Sequence, residues 1–83
     1  MDDGELIERM VEILGPCMGA NMARSSVKVF INEVKIRHGS FDLSHLPEVI
    51  ERLRKGLEAF VGREQAQVIS DRILDLRNAE ARG

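Results

Sequence analysis

The sequence predicts an all-α domain: a four-helix, bundle-like unit built from two helical hairpins, with a long second helix. Three observations predict it. Apolar residues recur every three or four positions over most of the 83-residue chain. Glycines fall where those runs stop, at Gly15, Gly39 and Gly62. The apolar share is 43%, yet there is no Trp, no Tyr and only three Phe, so the core must be built from aliphatic residues and Met.

The spacing places the helices at about 4–14, 16–37, 45–61 and 63–78, as one domain over 1–83. In the first, Leu6, Ile7, Met10, Ile13 and Leu14 share a face, and Asp2 or Asp3 can cap it. Leu14-Gly15-Pro16 reads as a sharp corner, with Gly15 as stop and Pro16 opening the next helix. The second helix carries two apolar stripes. One is Ala20, Ala23, Val27, Phe30 or Ile31, and Val34, and the other is Met18, Met22, Val29 and Ile36. Together they are wider than one neighbouring helix needs, which predicts packing on two sides. The β-branched cluster from Val27 to Val34 lowers helix propensity, but it does not alternate with polar residues as a strand would.

His38 to Ser44 reads as the connecting loop, with Gly39 ending helix two. Phe41 and Leu43 are expected to tuck inward, and Ser44 to cap helix three just before Pro47. Helix three presents Leu46, Val49, Ile50, Leu53, Leu57, Phe60 and Val61, and Gly62 ends it. Helix four turns Ala66, Ile69, Ile73 and Leu76 inward, and fraying is expected from Asn78 to Gly83. The halves also match at an offset of 43 residues. Ile7-Glu8-Arg9-Met10 falls on Ile50-Glu51-Arg52-Leu53, Leu14 on Leu57, Gly19 on Gly62, Ala23 on Ala66 and Phe30-Ile31 on Ile73-Leu74.

Composition narrows the function. The chain is too short for a dinucleotide-binding or barrel enzyme. With 12 basic and 14 acidic residues its formal net charge is -2, which does not suit a dedicated nucleic-acid binder. Cys17 is the sole cysteine, so no internal disulfide can form, and a reducing, cytoplasmic setting is expected. The acidic start, Met1-Asp2-Asp3-Gly4-Glu5, lacks the basic opening of a signal peptide.

The residues that could carry chemistry have structural readings. Cys17, placed beside Pro16 at a helix start, could be activated, but His38 and His45 lie around the distant loop, so a half-buried thiol is expected. His38, Asp42 and His45 could contribute metal ligands, but they match no strong ligand motif, and loop capping accounts for them. The Asp-Ser-Leu signature of acyl carrier domains is broken in Asp42-Leu43-Ser44-His45-Leu46. No catalytic residue, cofactor or metal is therefore assigned. Arg24, Lys28, Lys35, Arg52 and Lys55 could form a phosphate-facing strip, so a small nucleic-acid-binding helical domain is the alternative.

The corner Leu14-Gly15-Pro16, between an amphipathic helix and an Ala- and Val-rich one, resembles helical modules that accompany bacterial serine/threonine kinases and other signalling proteins. That resemblance spans residues 6–76 and implies a bacterial, regulatory, non-catalytic protein. The departures lie in the next turn, at Cys17, Met18 and Asn21. The function expected is protein–protein interaction or oligomerisation through Met18, Met22, Val29 and Ile36, with another protein or a second copy as partner and a homodimer foremost. No membrane span is expected.

Overall fold

The structure is a computed structural model that describes residues 2–82, with side chains over 2–78. The four helices are α1 (Asp3–Met18), α2 (Ala20–His38), α3 (Leu46–Val61) and α4 (Arg63–Arg82). A short 3-10 turn, Leu43–His45, precedes α3. α1 packs along α2 and α3 along α4 as two hairpins. α2 lies on α3 and α1 on α4, which closes the bundle.

Asp2 caps α1, its carboxylate accepting from the Glu5 N–H at 2.8 Å. The helix does not stop at Leu14-Gly15-Pro16, where the sequence predicts a corner. It continues to Met18 with Pro16 inside it. Proline costs a helix the donor to the carbonyl four residues back, and its ring crowds the Cβ of the residue before it. Here the missing bond falls in the last turn, and the preceding residue is Gly15, which has no Cβ. The helix therefore tolerates Pro16, and α2 begins at Ala20 rather than at residue 16.

The corner lies at Gly19, which has φ +89° and ψ 143°. Its N–H donates back to the Gly15 carbonyl at 2.8 Å, and its own carbonyl accepts from Ala23 at 2.9 Å. One residue thus ends α1 and starts α2. Gly62 repeats this between α3 and α4, with φ 85° and ψ 167°. Its N–H donates to Glu58 and its carbonyl accepts from Ala66, both at 3.0 Å. The offset of 43 residues seen in the sequence therefore relates two equivalent hairpins. Met10 and Leu53, Leu14 and Leu57, and Ala23 and Ala66 are all buried.

The core is aliphatic as expected and runs through all four helices, from Leu6 to Ile73. Phe41 and Leu43 pack against it from the loop. Ser70 stands at the position equivalent to Val27 and is the one buried polar residue of the described set. Its hydroxyl donates to the Ala66 carbonyl at 2.8 Å, so burial leaves no donor unsatisfied. Phe60, expected inward, is exposed in the last turn of α3, at the corner end of the bundle. α2 is long as expected, at 19 residues, and α4 matches it at 20 by running past residue 78 to Arg82. The fraying expected of the last side chains lies outside the described residues.

A side chain at Gly19 or Gly62 meets open space, so the cost of Gly→Ala there is purely conformational. Each substitution should lower stability by about 1–3 kcal/mol in urea unfolding. Gly56 lies exposed within α3 with open space beside it. Gly56→Ala should raise stability by roughly 0.5–1 kcal/mol, because alanine loses less conformational freedom in a helix.

Candidate interaction surface

Folding sorts the two apolar stripes of α2. Ala23, Val27, Ile31 and Val34 are buried, and α1 and α3 flank the helix. The second stripe then lies opposite the core. Met22 is 50% exposed, Val29 53% and Ile36 77%. Their seven-residue spacing brings them into one line about 21 Å long at 1.5 Å per residue. Met18, expected to join them, belongs to α1 and packs against the core instead, because the corner falls after it.

The outermost face of α2 carries no charge. Asn21, Ser25 and Asn32 are the exposed residues beside the three apolar ones. The charges sit on the flanks, where most are tied down within the chain. Arg24 makes a two-pronged contact with Glu8 of α1, at 2.8 and 2.9 Å. Lys35 lies 3.3 Å from Asp3. On the α3 side Arg37 donates to Glu48 at 2.7 Å, and Arg52 lies 3.2 Å from Glu33. The residues considered for phosphate contact are thus largely held by carboxylates. Lys55 instead lines an open groove of about 560 Å³ between α2 and α3, along with Phe30, Arg37, Glu48, Glu51 and Arg52.

The second hairpin shows what this position looks like without an apolar stripe. At the same offset Met22 corresponds to Gln65 and Val29 to Arg72, both exposed on α4. The buried faces of the two hairpins match near the corners, at Leu14 and Leu57 and at Ala23 and Ala66, and diverge further along, where buried Val34 corresponds to exposed Arg77. Val68 is exposed on α4 as well, but it stands where α2 has Ser25 and continues no line.

The histidines form a cap at the opposite end of α2. Gly39 ends the helix in the left-handed conformation, at φ 85° and ψ -16°. Ser44 does not cap α3: His45 stands at that N-cap without a side-chain cap bond, and Asp42 caps the preceding 3-10 turn instead. Its carboxylate accepts from the Ser44 N–H at 2.8 Å and from the Ser44 hydroxyl. In return the Asp42 N–H donates to His45 Nδ1 at 3.2 Å, which requires a lone pair on that nitrogen. The His45 ring stacks on His38 with centroids 4.7 Å apart, and His38 Nε2 lies 3.3 Å from Glu48 Oε1. These contacts fasten the loop to the ends of α2 and α3. Among the described residues no three His, Cys, Asp or Glu side chains are grouped to hold a metal ion.

Cys17 is half-buried in the last turn of α1 rather than at a helix start. About 28 Å of α2 separates its end of the bundle from the histidines. Among the described residues no helix is long and apolar enough to cross a membrane. Comparisons with protein-family models, with curated proteins and with solved structures find no match.

The Ser44 hydroxyl and then the Ser44 N–H hold the Asp42 carboxyl below its ordinary value. The His38 hydrogen bond, reinforced by Arg37, does the same for Glu48. A carboxylate with a folded-state pKa below the unfolded one stabilises fully above the ordinary carboxylate range. That contribution is lost as pH falls through the lowered value. Asp42→Ala should therefore lower the urea midpoint at neutral pH, and the gap to the wild type should close in acid. A gap that does not narrow as the pH is lowered through and below the ordinary carboxylate range would show that the carboxylate charge is not what stabilises the loop.

Proposed function

We propose that this chain is a non-catalytic protein–protein interaction or oligomerisation module, and that it docks through the outer face of α2. One observation carries the reading. Met22, Val29 and Ile36 stand exposed in one line, with no charge on the outermost face of α2, on a chain in which 31% of residues are charged. Single exposed apolar residues are ordinary, but a line of them rimmed by polar residues marks a contact surface. The position-matched Gln65 and Arg72 on α4 support this, since the second hairpin folds with polar residues at those two positions. The setting we propose is a regulatory one in bacterial signalling, in a reducing cytoplasm where Cys17 stays a thiol.

A photo-crosslinking residue placed at position 29 tests the reading in cells, with one at position 65 as the control. Position 29 should yield a covalent protein adduct, either with a second copy or with another protein, and position 65 should not. Equal, background labelling at both positions would remove the reading.

A further inference from the structure

We infer that the occupant of this face is a second copy of the chain, and that the two α2 helices pair in parallel about a two-fold axis. This rests on the proposed function and names its partner. Placing Met22, Val29 and Ile36 at the first position of a seven-residue repeat puts Ser25 and Asn32 at the fourth position. Lys28 then lies on one flank and Glu33 on the other. In a parallel helix pair first positions face first positions and fourth face fourth. Met22, Val29 and Ile36 then each meet their own counterpart, and Ser25 and Asn32 meet theirs. In an antiparallel pair first positions layer with fourth, so Val29 would be pressed against the partner's Ser25 or Asn32. The parallel arrangement is the one that sorts apolar with apolar and polar with polar.

The flanking charges select the same arrangement. A parallel pair brings the last position of one repeat beside the fifth position of the partner's next repeat, five residues on. That places Lys28 beside the partner's Glu33, and the two-fold axis makes the contact twice. Both groups have capacity for it. Lys28 is the one Lys or Arg of α2 with no ion pair among the described residues, since Arg24, Lys35 and Arg37 each have a carboxylate. Glu33 is 40% exposed along its side chain; its buried Oε2 faces Arg52 Nη1 at 3.2 Å, which leaves Oε1 for the partner. An antiparallel pair would instead bring the two Lys28 flanks together. With three apolar residues per copy the pairing should be weak and reversible, of the transient class.

The test is mass against concentration by light scattering and sedimentation equilibrium, followed by charge exchange. The wild type should pass from monomer to dimer as concentration rises into the hundreds of micromolar. Lys28→Glu and Glu33→Lys should each weaken dimerisation by about 5–10-fold, in line with removing an exposed charge pair twice and replacing it with repulsion. Mixing the two variants should restore a dimer containing one copy of each, because both cross-contacts then pair opposite charges. Thermal unfolding confirms that both variants fold. A cross-linker short enough to report facing residues, used with a Cys17→Ser background, reads the direction. Single cysteines at 22, 29 and 36 should each link to themselves. Absence of self-linking at 22, 29 and 36, with a cysteine at 29 linking instead to one at 25 or 32 of the other copy, would overturn the parallel pairing. A wild type that stays monomeric throughout would overturn the dimer. The proposed function would survive that result if position 29 still captures a different protein in cells, and would fall with it if it captures none.

Discussion

Gly19 and Gly62 hold the backbone at positive φ with extended ψ, a combination that side chains strongly disfavour. Each serves as both the last hydrogen-bonding residue of one helix and the first of the next. A corner of one residue leaves no slack, so the joined helices must run back alongside each other. Close approach near the corner then demands small residues, and Ala23 and Ala66 lie one turn beyond the two glycines, fully buried. The depth of both hairpins, and hence the face of each helix that reaches the core, follows from these corners. Met18 faces inward and Met22 outward because Gly19 separates them.

The fold class was readable because a bundle is specified by a periodic signal spread over many residues. Misplacing one position does not change which face is apolar. The corner was harder, because Gly15-Pro16 and Gly19 compete for it within five residues. Proline breaks helices through a lost hydrogen bond and through steric clashes, among them the one with the preceding Cβ. One clash needs a Cβ that Gly15 lacks, and the lost bond falls where a helix has few left to make. Gly62 has no proline near it, and the sequence places that corner where the structure has it. The repeat would have located the first corner, since it aligns Gly19 and not Gly15 with Gly62.

The candidate surface was partly legible for the same reason. Met22, Val29 and Ile36 stood out as surplus to the core, and surplus apolar residues on a helix must go somewhere. Their exposure depended on which neighbours α2 has, and a single helix pattern cannot supply that. Met18 shared their spacing but not their helix. Local pairs such as Arg54 with Glu58 follow from helical spacing, but the pairs between helices were not legible. Arg24 with Glu8 and Arg52 with Glu33 join residues far apart in sequence, and only the packing of α2 between α1 and α3 brings them together. Ser44 does not cap α3 because a 3-10 turn, capped by Asp42 and too short to leave a periodic signal, precedes the helix.

The difference between the outer faces of the two hairpins also sets a valence. Had α4 kept apolar residues at positions 65 and 72, each molecule would present two sticky sides on nearly equivalent helices. Contacts between unlike sides need not close on themselves, and they propagate into open fibres. On the proposed reading, Gln65 and Arg72 leave α2 as the docking side. Two copies that met through it would use it up, and assembly would halt there. Those two polar residues are then as informative as the apolar ones on α2, because they hold the valence at one.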